Sequence, residues 1–211
     1  MNASVGGLKP DARDGDHIRR LIDILVVVLA APFVLVLLAI LAALIKLDTP
    51  GPVLFRDRRM GYGGRPLTIL KLRTMVENAE ELKPSLRHLS VLPWPDFKIP
   101  NDPRITRVGR RLRRSSLDEL PQLWNVLRGD LTLVGPRPSR IRLEEYELWQ
   151  TERLEARPGL FGRWQFEGRA RVDFTERCRM DIRQVRDRSI RHELQFAYRT
   201  VVSVATGRGA S

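Results

Sequence analysis

The sequence predicts an α/β protein that is mostly helical, with a membrane-embedded helix near its N-terminus and a small β-hairpin after it. Residues 24–45 form a run of twenty-two residues without a charge. Two short apolar runs then flank a glycine-rich turn at 61–64. The rest of the chain combines helical patterns with many arginines, and the formal net charge is +12 over 211 residues. This length suits one domain with a sizeable core.

The apolar run is long enough to span a bilayer, whose core needs about 20 apolar residues in a helix. A buried helix of a soluble core and a cleaved signal peptide both fit so long a run less well. Pro32 interrupts the run near its middle, where it removes a helical hydrogen bond and kinks the helix. Both flanks are basic, so positive charge favours no single crossing direction. We therefore predict a re-entrant helix over 18–46 that dips into the membrane, breaks at Pro32 and returns.

The hairpin follows this helix. Residues 52–55 and 67–72 are short apolar or β-branched runs, and the Gly-Tyr-Gly-Gly sequence at 61–64 joins them as a turn. The glycines lack the lysine pattern of a phosphate loop and the spacing of a dinucleotide fingerprint. Further along, Trp94 and Phe97 stand in an uncharged segment. Two interpretations stay open for them, insertion into the lipid headgroup region and packing on the domain itself.

An arginine-rich segment leads into the next motif. Six of the eleven residues from 104 to 114 are arginines. A solvated charged face is the usual explanation of such a segment. Nucleic acid is a second candidate, but no helix-turn-helix, zinc finger or aromatic platform accompanies the arginines. We predict a phosphate-facing and lipid-facing surface, because guanidinium groups bind phosphate bidentately and anionic headgroups attract them. Arg114 is the predicted substrate contact, and Arg110 and Arg111 are predicted to face lipid.

Two adjacent carboxylates, Asp118 and Glu119, come directly after the arginines. Ser116 and Glu119 have the spacing of a capping box, whereas Pro121 and Gly129 would mark the first turn and the end of a short helix. Both alternatives place the acidic pair at a helix N-terminus, where ionised carboxylates are favoured. An ionised carboxylate beside cations can hold a metal ion or attack an electrophile, although capping alone is the simplest role for such residues.

Several further blocks surround the acidic pair in a fixed order. They are Thr-Pro-Gly-Pro-Val-Leu-Phe-Arg at 49–56, Lys-Leu-Arg-Thr-Met at 71–75, Asn-Asp-Pro-Arg-Ile-Thr at 101–106, Arg-Pro-Gly-Leu at 157–160, and Trp-Gln and Gly-Arg at 164–165 and 168–169. Together with the segment 115–138, which ends in Gly-Pro-Arg-Pro, they resemble the bacterial sugar transferases, the small monotopic phosphoglycosyl transferases. The resemblance covers about residues 18–190.

The resemblance implies transfer of a phosphosugar from a UDP-sugar to polyprenyl phosphate, such as undecaprenyl phosphate, with release of UMP. Such a transfer is the first membrane step of bacterial glycan assembly and takes place on the cytoplasmic face of the inner membrane. By the same resemblance Asp118 attacks the sugar-bearing phosphorus and forms an aspartyl-phosphosugar intermediate. Mg²⁺ is the implied cofactor, held by Asp118 and Glu119, although Glu119 could instead manage a proton. The implied phosphate contacts are Lys71, Arg73, Arg114 and Arg137.

This chain departs from the family pattern at several positions. Ala31 precedes Pro32 where the family usually has serine, and Phe161 stands where threonine is frequent. After Asp181, the usual aromatic residues are replaced by Ile-Arg-Gln. The three histidines show no zinc-ligand spacing, and Cys178 is predicted to be a packing residue. The sequence does not reveal which sugar is transferred or the oligomeric state.

The predicted organisation is a flexible segment at 1–17, the re-entrant helix at 18–46, an interfacial catalytic domain at 47–206 and a flexible tail at 207–211. Within the domain, the pattern at 141–157 predicts an amphipathic helix that packs on the core. The pattern at 193–204 predicts a second one that lies flat on the membrane or closes the core. A catalytically inactive membrane scaffold and a basic nucleic-acid-binding protein are the other functional classes. The intact acidic pair argues against the former, and the long apolar run against the latter.

Overall fold

The structure is a computed structural model that describes residues 16–91, 97–162, 164–165, 173–187 and 195. The apolar run forms helix α1, Asp16–Asp48, which extends two residues beyond each end of the predicted helix and contains Pro32. By length and composition α1 can cross a membrane. Its middle turns apolar side chains outward, and Phe33 is 80% exposed. The structure does not show a re-entrant topology, which stays a prediction.

Both ends of α1 are attached to the rest of the chain. Near its start, the Arg20 guanidinium donates hydrogen bonds to two carbonyl groups of a later helix. The buried Asp23 accepts hydrogen bonds from Thr132 Oγ1 at 2.7 Å and from the Leu133 amide at 3.0 Å. At the other end, Asp48 accepts from the Val108 amide at 3.0 Å. The two ends of the apolar helix therefore contact one and the same domain.

The predicted hairpin is confirmed. Strands β1, Leu54–Met60, and β2, Pro66–Leu72, pair antiparallel across the glycine turn, where Gly63 adopts a positive φ of 60°. β1 is longer than the predicted apolar run because its charged residues continue the pairing. Residues at alternate positions of a strand share one face. Asp57 and Arg59 therefore lie on one face of the hairpin, together with the residues of β2 that pair with them.

The arginine-rich segment forms helix α2, Arg107–Ser115. Thr106 caps its N-terminus, and the Thr106 side chain accepts a hydrogen bond from the Gly109 amide at 2.9 Å. The acidic pair lies in a short 3₁₀ turn, Leu117–Glu119, and helix α3, Gln122–Arg128, follows. α3 is preceded by Pro121 and ends at Gly129, whose φ is +86°. Of the two predicted alternatives, the structure thus shows the short helix marked by Pro121 and Gly129. Ser116 makes no capping hydrogen bond.

A second small sheet pairs strand β3, Thr132–Val134, in parallel with β4, Gly159–Phe161. Val27 of α1 packs in one core with residues of β2, α3, β3 and β4. A second core joins the C-terminal half of α1 to β2 and α2. The last described helix, α4, is Phe174–Arg186. The observed architecture is therefore mixed and mostly helical, as predicted, with two small sheets.

The amphipathic α-helix predicted at 141–157 is wrong. The segment contains two 3₁₀ stretches, Leu143–Glu145 and Leu148–Glu155. A glutamate and a glutamine each accept a hydrogen bond from the amide three residues earlier, at 142 and 147. Each of these local bonds starts a new turn, so a single helix does not propagate. Leu148, counted in the apolar pattern, is 89% exposed. The predicted tail helix at 193–204 lies, apart from residue 195, outside the described residues.

Candidate active site

The elements described above surround a cavity of about 840 Å³. The hairpin, the loop after β2, the C-terminal end of α2, the 3₁₀ turn, the loop after β3 and α4 all contribute to its wall. The sequence-predicted residues on this wall are Lys71, Arg73, Asp118, Glu119 and Arg137. The fold thus brings together residues that are up to 66 positions apart in the chain, from 71 to 137.

Glu119 is the centre of a small ionic cluster. Its carboxylate accepts from Lys71 Nζ at 3.2 Å and from both terminal nitrogens of Arg137, one of them at 3.1 Å. Burial alone would raise the pKa of Glu119, but the charges of Arg137 and Lys71 outweigh it and lower the pKa from 4.5 to about 2. Burial lowers the pKa of Lys71, and the negative charge of Glu119 partly offsets this. Glu119 is therefore ionised and forms ion pairs with two cations.

Asp118 differs sharply from its neighbour. Asp118 is 8% exposed. Its carboxylate makes no hydrogen bond or ion pair with another residue that the structure describes. Burial and the charge of Glu119 raise the pKa of Asp118, while Lys71, Arg113 and Arg137 oppose that rise from a distance. A carboxylate that is buried, lacks a described partner and faces a cavity beside cations can hold a metal ion or react with an electrophile.

Three different donors hold the loop that carries Arg137. The carbonyl of Arg137 accepts from Arg153 at 2.8 Å, that of Pro138 from Arg59 at 3.1 Å, and that of Ser139 from the Met60 amide at 2.7 Å. Three successive carbonyls are thus tied to the hairpin and to the C-terminal part of the chain. This arrangement fixes the direction in which the Arg137 guanidinium leaves the loop.

Two of these donors are paired with buried carboxylates, and the sequence analysis identified neither ion pair as part of the site. Arg59 donates to Asp57 at 2.6 and 2.9 Å, and Asp57 also accepts from Arg140 at 3.0 Å. Arg153 donates to Asp181, which is fully buried in α4. The sequence indicates the first pair, because Asp57 and Arg59 occupy alternate positions of one strand and so share a face. No local pattern predicts the second, because its members are 28 residues apart.

The remaining predicted phosphate contacts are placed differently. Arg73 is buried and donates to Thr49 Oγ1 at 2.9 Å, to the Thr49 carbonyl at 2.8 Å and to the Pro50 carbonyl. It therefore secures the segment that leaves α1. Arg114 is exposed and is not among the described residues lining the cavity, whereas Arg113 is. Arg113 Nε donates to Thr74 Oγ1 at 2.9 Å, which directs that side chain toward the cavity.

The donor set bears on the predicted Mg²⁺. Among the described residues there is no group of three or more histidine, cysteine or acidic side chains that could hold a metal ion. Mg²⁺, however, is commonly held by one or two carboxylates together with substrate phosphates and water. Asp118 fits such a ligand set, and Glu119 would join it only by releasing a cation. The residues are thus compatible with Mg²⁺ carried into the site with a phosphorylated substrate.

A comparison with known proteins identifies the family. The model of the bacterial sugar transferase family matches residues 15–207. The chain belongs to that family. An exopolysaccharide production protein of Rhizobium meliloti, ExoY, is 35% identical over 201 residues, which cover 93% of this chain and 89% of that protein.

Two further relatives are named for their reactions. A UDP-glucose:undecaprenyl-phosphate glucose-1-phosphate transferase of Caulobacter vibrioides is 40% identical, with 89% of this chain and 70% of that protein covered. An undecaprenyl-phosphate galactose phosphotransferase of Salmonella typhimurium is 41% identical over 76% of this chain, but the match spans only 35% of that longer protein. The family and these relatives make the chain a phosphoglycosyl transferase.

Proposed function

We propose that this protein transfers a phosphosugar from a UDP-sugar to polyprenyl phosphate and releases UMP. The single observation that carries the mechanism is the contrast between the two adjacent carboxylates. Glu119 is committed to Lys71 and Arg137, whereas Asp118 is buried without a described partner and faces the cavity. The names of the relatives support a sugar-phosphate donor and an undecaprenyl carrier.

The proposed reaction has two steps. An Asp118 oxygen attacks the sugar-bearing phosphorus of the UDP-sugar, the bond from that phosphorus to the bridging oxygen breaks, and UMP leaves with the electron pair. An oxygen of the lipid phosphate then attacks the same phosphorus, and the Asp118 carboxylate leaves. Covalent catalysis of this kind divides one transfer into two simpler displacements.

The cations around Asp118 have a defined part in this scheme. A carboxylate that approaches a pyrophosphate must overcome the repulsion between like charges, so positive groups must lie close by. Arg137, Lys71 and Arg113 supply them from three different elements. Asp118 would hold Mg²⁺ together with oxygens of the substrate, and the ion would supply further neutralisation of negative charge there. Glu119 keeps Lys71 and Arg137 in place before the substrate arrives.

We further propose that α1 is re-entrant and that the domain lies on the cytoplasmic face of the inner membrane. Arg20 and Asp48, near opposite ends of the apolar helix, both bond to the same domain. A single crossing would carry those two residues to opposite faces of the membrane. The arrangement therefore supports a helix that enters the membrane and returns, with anionic lipids opposing the basic flanks.

The chemistry is tested without lipid. Protein mixed with UDP-sugar and Mg²⁺ is expected to release about one UMP per active site and to gain one phosphosugar on the tryptic peptide 115–128, which carries Asp118. Asp118→Asn should abolish both signals because an amide is a very poor nucleophile, and the matched Asp130→Asn should retain both. UMP that appears only with lipid, with no trappable adduct, would instead indicate direct attack by the lipid phosphate. A panel of UDP-sugars then identifies the donor.

The topology is tested by labelling in intact cells. Cysteines introduced at the exposed positions His17 and Arg58, in a Cys178→Ser background, should both resist a membrane-impermeant thiol reagent added to the periplasm. Labelling of the cysteine at 17 alone would refute the re-entrant helix. Pro32→Leu should increase that labelling, because the break that returns the chain is lost.

A further inference from the structure

The cavity has an apolar end that the proposed reaction does not yet use. Pro52, Leu54 and Phe55 belong to its wall. Leu54 is 48% exposed and Phe55 37% exposed, although both are large apolar residues in the first positions of β1. Much of the wall around Asp118 is instead cationic. The three residues at the start of the hairpin therefore add an apolar patch to a wall that is rich in cations.

The strand register connects this apolar end directly to the ionic cluster. Phe55 is the antiparallel partner of Lys71, and side chains directly opposite one another lie on the same face of a sheet. Lys71 in turn donates to Glu119 at 3.2 Å. A molecule in contact with Lys71 thus meets Phe55 as the next side chain across the hairpin.

The same end of the hairpin adjoins the membrane helix. Leu54 pairs with Leu72, which is buried in one core with Leu41 and Ile45 of α1. Only five residues, 49–53, separate the end of α1 from the start of β1. The start of the hairpin therefore lies beside the C-terminal half of the apolar helix.

We propose that residues 52–55 form the passage for the isoprenoid chain of the lipid acceptor, with Phe55 against the isoprene unit next to the phosphate. This inference rests on the proposed function, since the acceptor is polyprenyl phosphate. Such an acceptor has an anionic head and a long apolar tail. Its head requires the cations near Asp118, and its tail must reach the bilayer without crossing water. Phe55 lies on the face of the hairpin that carries Lys71, and Leu54 lies on the opposite face, which carries Leu72 and its core with α1. The start of β1 therefore offers apolar contact on the way from the cations to α1.

The test separates acceptor binding from membrane attachment. Phe55→Ser should raise the apparent KM for undecaprenyl phosphate in mixed micelles about tenfold, the effect of losing one buried aromatic contact. The KM for the UDP-sugar should stay unchanged. Leu47→Ser is the matched control, because Leu47 is 85% exposed at the end of α1 and is not among the described residues of the cavity wall. It should leave the acceptor KM at the wild-type value.

A second measurement does not depend on turnover. A short isoprenyl phosphate with a diazirine on its first isoprene unit should label the tryptic peptide 47–56, and excess undecaprenyl phosphate should suppress the label. An unchanged acceptor KM in Phe55→Ser, an equal rise in Leu47→Ser, or a label confined to other peptides would overturn the passage. Failure of the wild-type protein to transfer any phosphosugar to undecaprenyl phosphate would instead refute the proposed function, and the passage with it.

Discussion

Neutralising Glu119 should destabilise the folded protein, whereas neutralising its neighbour Asp118 should not. Glu119 has a pKa lowered from 4.5 to about 2 because Arg137 and Lys71 stabilise its charge. The difference between these values corresponds, at about 1.36 kcal/mol per pH unit, to about 3 kcal/mol of folding stability at neutral pH. Glu119→Gln should lose this amount, since two largely buried cations would face a neutral amide. Asp118→Asn should cost nothing or increase stability, because burial raises the pKa of Asp118 and penalises its charge.

The expected change is large enough for thermal unfolding in detergent, followed by the fluorescence of the four tryptophans. For a chain of this size, 3 kcal/mol corresponds to a fall of about 6–12 °C in Tm. A lowered pKa contributes stability above the unfolded value and loses it as the pH falls through the folded value. The gap between wild type and Glu119→Gln should therefore narrow between pH 4.5 and about 2.

The control is Glu144→Gln, which removes an exposed carboxylate and should melt with the wild type. Both variants of the acidic pair should be inactive, so activity does not distinguish them, but their melting temperatures should. Equal shifts for Glu119→Gln and Asp118→Asn, or a wild-type Tm for Glu119→Gln, would refute the unequal division of charge between the two carboxylates.

Three other variants test the surroundings of the site. Arg137→Lys should reduce turnover about tenfold or more, because an ammonium group does not replace a bidentate fork, whereas Arg110→Lys should be nearly silent in the same assay. Arg153→Ala should lower the free energy of unfolding by about 3–5 kcal/mol in chemical denaturation, since it leaves a buried carboxylate unpaired; Arg186→Ala, which removes an exposed pair between the same two elements, should not. Gly109→Ala should destabilise by about 1–3 kcal/mol in thermal unfolding, because its Cβ would lie 2.1 Å from a backbone oxygen of the loop after β2.

Local patterns were sufficient for several parts of the fold. The hairpin follows from two apolar runs and a glycine turn, and the end of α3 follows from Gly129, which adopts the left-handed conformation. The apolar length of α1 follows from composition. These features depend on neighbouring residues only, so periodicity and turn chemistry reveal them. The segment at 141–157 was misjudged because local hydrogen bonds competed with a weak helical pattern.

The choice between neighbouring arginines required the structure. Counting positions on a helical wheel groups Arg114 with other arginines of α2, but it does not say which face meets the cavity. That orientation is set by packing, with Leu112 buried in a core and Gly109 against the loop after β2. As a result Arg113 lines the cavity, and Arg114 is not among its described lining residues.

The sequence by itself determined which elements and charged groups this protein contains: an apolar helix, a hairpin, an acidic pair and an excess of arginine. It did not determine how charge is shared among these groups. Only the tertiary structure pairs Glu119 with Lys71 and Arg137, which are 48 and 18 residues away, and leaves Asp118 without a described partner. The physical reason is that ion pairing and desolvation depend on distance and burial in space, and adjacent residues of identical charge can have opposite surroundings.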